Sequence, residues 1–111
     1  MHISLESKDG GVAIITLDGR LDLLTSADVK RELGSAVDGG HRRLIVDLGG
    51  VTFIDSSGLG TLIGGLKLTR QAGGDLRIAR PTDQARLVLQ LTTLDRVLRP
   101  YTSVEEAAAG Y

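Results

Sequence analysis

The stretch of sequence that decides the fold covers residues 43–60 and reads RLIVDLGGVTFIDSSGLG. Its first part, Leu44–Leu48, is apolar at every position but one, and such a run favours a strand that is covered on both faces. After a polar turn at residues 55–58, apolar residues recur at helical spacing, at Leu59, Leu62, Ile63 and Leu66. The stretch therefore predicts a strand that passes through a short loop into an amphipathic helix.

Strand signals also occur on both sides of this stretch. Residues 3–7 alternate between apolar and polar side chains, residues 12–17 form a second strand-like run, and the Asp-Gly-Gly between them is a hairpin signal. We expect Asp18-Gly19 to end the second strand. Downstream, residues 76–79 predict a short strand that ends before Pro81, and residues 97–98 predict a last one.

Three more helices are predicted from caps and apolar spacing. Thr25 or Ser26 caps the first, whose apolar stripe consists of Val29, Leu33, Ala36 and Val37. Thr82 caps another. The final helix extends through Ala109 and follows two pairs with capping-box spacing, Thr102 with Glu105 and Ser103 with Glu106.

The order of these elements predicts the fold class. Strands that alternate with helices imply crossovers between parallel strands, which makes this an α/β domain. We expect a small mixed, largely parallel β-sheet of four to five strands, with an antiparallel hairpin at its edge and about four packed helices. At 111 residues the chain fits a single domain, 1–111.

Composition excludes several classes of function. The net charge of −1 lacks the basic excess of a nucleic-acid-binding protein. The chain contains no cysteine, which excludes disulfides, thiol chemistry and cysteine-based zinc sites. We find no apolar run long enough to span a bilayer and no signal-peptide pattern, so we expect a cytoplasmic protein that does not enter the membrane.

The loop at residues 55–60 has two interpretations. Asp55, Ser56 or Ser57 can simply cap the helix, with Gly58 and Gly60 allowing a tight turn. Alternatively, the loop is a phosphorylation site, because a helix N-terminus stabilises a phosphate through its free N–H groups and its partial positive charge. A phosphate there would change the surface sharply while leaving the fold intact.

The sequence lacks the residues that common catalytic and metal-binding motifs require. A dinucleotide loop would need glycine where Ile63 stands, and neither a GK[ST] phosphate loop nor a GxSxG elbow is present. A Ser-His-Asp triad would have to use His2 or His41, and both lie in segments that we expect to be exposed. We therefore expect no enzyme activity, no cofactor and no metal.

Two segments resemble a known family. Residues 46–60 resemble the signature of the STAS domain of bacterial anti-sigma factor antagonists, and residues 17–22, LDGRLD, resemble its first motif. The resemblance implies the STAS fold and a mechanism called partner switching. The unmodified antagonist binds an anti-sigma factor serine kinase and so frees the sigma factor, the kinase phosphorylates one serine of the antagonist, and a PP2C-type phosphatase resets the cycle.

The resemblance also implies roles for particular residues. The phosphorylated residue would be Ser56, with Ser57 as the fallback and as the better placed helix cap. Asp55 would shape the loop and contact the kinase. The complete set of predicted partner-binding residues is Arg20, Asp22, Asp55, Ser56, Ser57, Gly58 and Leu59. We expect a monomer or a weak dimer that makes no direct contact with nucleic acid.

Some interpretations remain open at this point. A STAS domain can instead be a scaffold subunit of a stress-sensing or lipid-transport complex, and an enzyme or nucleotide-binding protein is a third possibility. Arg20 and Asp22 can be merely solvated charges at a strand end. Gly64 and Gly65, inside the second predicted helix, either pack closely against a neighbouring element or leave a flat patch for a partner.

Overall fold

The computed structural model describes every residue from Met1 to Tyr111. The five strands are β1 (His2–Lys8), β2 (Val12–Leu21), β3 (Arg43–Ile54), β4 (Asp75–Ala79) and β5 (Pro100–Tyr101). The four helices are α1 (Ser26–Asp38), α2 (Ser56–Gln71), α3 (Asp83–Leu91) and α4 (Val104–Ala108). Two short 3₁₀ turns lie at Asp9–Gly11 and Leu94–Arg96.

The strands form one mixed sheet in the order β1-β2-β3-β4-β5. β1 and β2 form the expected antiparallel hairpin at one edge, and the other neighbouring strands are parallel. This confirms the predicted fold class, including the number of strands and helices.

The two faces of the sheet are covered unequally. The larger core lies on one face, where β2, β3 and β4 pack against the predicted stripe of α1, the apolar side of α2 and the buried residues of α3. The other face carries a small cluster under α4, made of Val12, Ile45, Ala79 and Ala107. Burial on both faces explains why β3 reads as a nearly continuous apolar run.

The strands β2 and β3 both continue through glycines that would be expected to end them. Asp18-Gly19 does not end β2, because Asp18 pairs with Gly50 and Gly19 with Val51. The register shifts on either side of this pair, and Gly19 adopts a φ of 117°, so the segment forms an irregularity that the sheet absorbs. The side chain of Asp18 also accounts for the glycine at position 50, since a Cβ on Gly50 would lie 2.1 Å from Asp18 Oδ1.

The prediction for the last strand was wrong by three residues. Val97 and Leu98 lie in a turn after Leu94–Arg96, and the strand is Pro100–Tyr101. It is an edge strand of two residues that pair with Ile78 and Ala79, a place where proline is tolerated.

The helix N-caps in the structure agree in part with those predicted from the sequence. Thr82 caps α3 as predicted, and of the two capping-box pairs only Ser103 accepts a bond from its partner's backbone, Glu106 N. α4 ends at Ala108, one residue before the predicted end. Thr25 precedes α1 but makes no side-chain cap bond.

The two glycines inside α2 differ in their surroundings. A Cβ on Gly65 would lie 2.6 Å from Leu33 Cδ1, so Gly65 allows α2 to pack closely against α1. Gly64 faces open space. The packing interpretation therefore holds for Gly65 alone.

None of the four helices combines the length and the apolar character that crossing a membrane requires.

Candidate functional site

The candidate site lies where β2 and β3 end and α2 begins. Leu21 and Ile54 are paired across the ends of the two strands, and Asp55 N donates to Leu21 O at 3.3 Å. The loop between β2 and α1, residues 22–25, runs beside the first turn of α2. This is the carboxyl edge of the parallel strands, where open α/β sheets usually bind their ligands.

Asp55 joins the two parts of the site. Its Oδ1 accepts a hydrogen bond from Gly58 N at 2.9 Å, which makes Asp55 the N-cap of α2. Its Oδ2 accepts a bond from Leu23 N at 3.2 Å, which ties the β2–α1 loop to the helix. Asp55 thus connects the β2–α1 loop to the first turn of α2.

Ser56 and Ser57 lie inside the helix, in its first turn. The prediction that Ser57 is the cap was wrong, because the carboxylate of Asp55 already takes the bond from Gly58 N. Ser56 is the first residue of α2, its side chain is exposed, and its hydroxyl makes no hydrogen bond within the protein. Ser57 is half-buried.

Gly58 and Leu59 face the interior. A Cβ on Gly58 would lie 2.2 Å from Leu21 O, so only glycine lets the helix approach β2 this closely. Leu59 belongs to the main core and is 3% exposed. Both residues were predicted to bind a partner, but their burial limits them to holding α2 in place.

Arg20, near the end of β2, and Asp22, in the β2–α1 loop, contact each other and are not merely solvated. Arg20 Nε donates to Asp22 Oδ2 at 3.3 Å, and the guanidinium lies 4.3 Å from the centre of the Phe53 ring. Asp22 Oδ1 accepts a bond from Leu24 N at 3.0 Å. Thr25 completes the loop, because its hydroxyl donates to Arg20 O at 2.8 Å and accepts from Asp22 N at 3.0 Å.

The hydrogen bonds of Asp22 also set its protonation. Burial acts to raise the pKa of this carboxyl group, but the bonds from Arg20 and from the amides of Leu24 and Thr25 outweigh it. The pKa of Asp22 therefore lies below its ordinary value.

This lowered pKa predicts a pH-dependent contribution to stability. A group whose pKa is depressed by folding stabilises the protein above its unfolded-state pKa, about 3.9 for aspartate, and that contribution is lost as the pH falls through the folded-state value. We expect Asp22→Asn to melt at a lower temperature than the wild type at pH 7, and we expect the gap to close below about pH 4. Thermal melts of both proteins between pH 7 and pH 2.5 check this, and a gap that persists at the acid end would contradict it.

Two features of the site were missed in the sequence. Leu23 and Leu24 are 72% and 87% exposed at the tip of the loop, although their apolar character suggests burial. Gln84 of α3 forms two hydrogen bonds with the last residue of β3. Ile54 N donates to Gln84 Oε1, and Gln84 Nε2 donates to Ile54 O, both at 2.9 Å. The sequence holds no local signal for Gln84, because its partner lies 30 residues away.

Removing the Asp55 carboxylate is expected to loosen both parts of the site. Asp55→Ala should lower the free energy of unfolding by about 1–2 kcal/mol, because the N-cap bond and the bond to Leu23 N are lost together. Chemical denaturation measures the loss. Asp55→Asn, which keeps an acceptor oxygen, is the matched control and should lose less. Equal losses for the two variants would argue against the capping role.

Comparison with known proteins agrees with this architecture. The family model of the STAS domain matches residues 4–107. The chain is 30% identical to an anti-sigma F factor antagonist of Paenibacillus polymyxa, over 91% of the chain and 88% of that protein. It is 29% identical to the anti-sigma-F factor antagonist RsfB of Mycobacterium tuberculosis, over 90% of the chain and 81% of RsfB.

A solved structure extends the comparison to three dimensions. The anti-sigma factor antagonist SpoIIAA in its unphosphorylated form is 24% identical and superposes with a TM-score of 0.79, covering 94% of the chain and 91% of SpoIIAA. The phosphorylated form of the Bacillus SpoIIAA gives a TM-score of 0.72. At this identity the likeness establishes the fold.

The match to the family model spans nearly all of the chain, and the curated relatives carry one functional description. Anti-sigma factor antagonists with this domain are regulatory binding proteins and not enzymes. From the family match, the sheet order and the loop at residues 55–60 together, we conclude that the chain belongs to the STAS-domain family.

Proposed function

We propose that the chain is an anti-sigma factor antagonist controlled by phosphorylation of Ser56. In its unphosphorylated form it binds an anti-sigma factor serine kinase, and the sigma factor held by that kinase is freed. Phosphorylation by the same kinase ends the binding, and a PP2C-type phosphatase restores it. The whole chain, residues 1–111, acts in this proposal as a single STAS domain without a cofactor.

The observation that carries the proposal is the division of roles between Asp55 and Ser56. Because Asp55 supplies the cap, the hydroxyl of Ser56 has no structural bond to lose when a phosphate is attached. The phosphate would sit at the N-terminus of a 16-residue helix, where the N–H groups and the helix dipole favour negative charge. The fold should therefore tolerate the modification.

The surface around Ser56 gives a reason why a docked partner would not tolerate a phosphate on this serine. Asp55 already places a carboxylate beside the serine, and Arg20 is occupied by Asp22 and the Phe53 ring. Arg20 is the only basic residue within residues 20–25 and 55–60, and it is already paired with Asp22. The dianion would remain solvated, and a docking protein would have to desolvate or repel it.

The proposed contact surface consists of exposed and half-buried residues on both sides of Asp55. Arg20 and Asp22 lie on one side, Ser56 and Ser57 on the other, with Asp55 between them. Leu23 and Leu24 add the apolar area that the predicted set lacked, and the bond from Leu23 N to Asp55 holds them next to the phosphorylation site. Gly58 and Leu59 support this surface from behind.

A release assay tests the proposed function. The serine kinase of the same organism is first loaded with its sigma factor, and the chain is then added without ATP. We expect the sigma factor to be released and the kinase to be captured by the chain, as followed by size-exclusion chromatography. A kinase that retains its sigma factor at saturating amounts of the chain would refute the proposal. The same column would reveal the large particles expected of a scaffold subunit.

A further inference from the structure

A second concave surface lies at the opposite end of the sheet from Ser56, where the parallel strands begin. It is a pocket of about 490 Å³ between the β1–β2 turn, the start of β3 and the turn before β4. Four glycines form much of its wall, at Gly10, Gly11, Gly73 and Gly74. The remaining lining residues are Arg42, Arg43, Asp75, Arg77 and Tyr111.

The pocket concentrates positive charge in a protein whose net charge is −1. Three arginines are among its lining residues, against one carboxylate. That carboxylate, Asp75, is already engaged through its Oδ1, which accepts bonds from Arg70 Nε at 3.2 Å and from Leu76 N at 2.9 Å. Arg43 stands beside Asp75 in the strand register and yet forms no ion pair with it.

Two of the three arginine side chains are held in place by the fold, Arg42 against the end of α1 and Arg77 against α4. Arg42 Nη1 donates to Val37 O at 2.7 Å. Arg77 Nη1 donates to Ala107 O at 2.8 Å, and its guanidinium stacks 4.0 Å from the centre of the Tyr111 ring. The Nη2 and Nε donors of Arg77 remain free of protein partners, so a ligand would meet a group that loses little freedom on binding.

Arg43 is the third group, and it is unpaired. It forms no hydrogen bond or ion pair within the protein, and its Nη1 extends over the β1–β2 turn, 3.8 Å from the position of a Cβ on Gly10. Gly11 and Gly73 have no neighbouring atoms within 4 Å of a Cβ position, so the backbone of both turns is open to the pocket.

We propose that this pocket binds a phosphate group, on a small compound or on a lipid. Planar guanidinium forks match the oxygens of phosphate, and the bare glycine turns leave room for the tetrahedral group and its substituent. The site shares no residue with the proposed contact surface, so it is a binding function separate from the switch at Ser56.

Titration of the full chain with inorganic pyrophosphate at constant ionic strength tests the proposal. We expect saturable amide shifts in the NMR spectrum at Gly10, Gly11, Gly73 and Gly74. Arg43→Gln should weaken binding at least fivefold, and Arg43→Glu should abolish it. Both variants should fold normally, because the side chain of Arg43 forms no hydrogen bond or ion pair within the protein. Arg96→Gln is the matched control, because Arg96 is exposed elsewhere and forms no side-chain bond; it should bind like the wild type.

A second arm distinguishes the source of the phosphate. Sedimentation with vesicles containing phosphatidylglycerol should depend on Arg43 if the group belongs to a lipid, whereas pyrophosphate alone should saturate the site if the ligand is a small compound. Vesicle binding or saturable pyrophosphate binding supports the site, provided that the Arg43 variants lose it. Non-saturable shifts together with vesicle binding that is absent or indifferent to Arg43 would overturn it.

Discussion

Replacing Gly58 by alanine is expected to destabilise the domain by about 3 kcal/mol, the largest single effect at the site. The added methyl would lie 2.2 Å from Leu21 O and 2.8 Å from Leu21 Cγ, and a backbone oxygen cannot yield as the end of a flexible side chain does. The first turn of α2 must therefore move away from β2. Because the same turn carries Ser56, the exposed surface should change along with the stability.

Gly60→Ala is the matched control for this experiment. Gly60 lies in the same helix two residues later, and a Cβ there meets nothing within 4 Å. Alanine should stabilise the helix at this position by about 0.5–1 kcal/mol. Urea denaturation of both variants measures the difference. Similar free energies of unfolding for the two would show that the close approach to Leu21 does not govern the position of α2.

Ser56→Asp is expected to weaken binding to the cognate kinase at least 100-fold, about 2.7 kcal/mol, with little change in melting temperature. The new carboxylate stands on an exposed residue at a helix N-terminus, where the fold accepts it, and beside Asp55, where a partner meets two negative charges. Isothermal titration calorimetry measures the affinity, and thermal melting checks the fold. Ser56→Ala should keep the affinity of the wild type and resist phosphorylation.

Ser35→Asp provides the control for charge alone. Ser35 is exposed on α1, outside the proposed contact surface, so the same added charge should leave the affinity unchanged. Unfolding of the Ser56→Asp variant would instead indicate that Ser56 is a structural residue. A comparable loss of affinity in Ser35→Asp would mean that net charge, and not the position of the serine, controls docking.

Local pattern was enough to predict the order of the elements. The apolar run of β3 and the helical spacing after residue 58 correspond to the observed strand and helix because burial dictated both. Asp18-Gly19 misled the prediction, since the pairing of Asp18 with Gly50 and Gly19 with Val51 continues the strand through residues that favour turns. Strand pairing across the sheet overrode local propensity there.

The site itself was only partly predictable. The sequence placed Ser56 and Asp55 in one loop, but three residues in a row are candidates for a cap, and only the geometry selects Asp55. Gln84 lies 30 residues from the strand end that it brackets. The bidentate pair of Arg80 with Asp47, at 2.9 and 2.8 Å, likewise joins positions 33 residues apart. Such contacts depend on tertiary arrangement, which no spacing in the sequence reports.

The most direct measurement compares the chain before and after modification by its own kinase. Incubation with the kinase and ATP should add one phosphate, which mass spectrometry of the loop peptide assigns to Ser56. Titration of the kinase with the purified bare and phosphorylated chains should then give affinities that differ at least 100-fold, with unchanged circular dichroism. Equal affinities of the two forms, or a phosphate found elsewhere in the chain, would contradict the proposed switch.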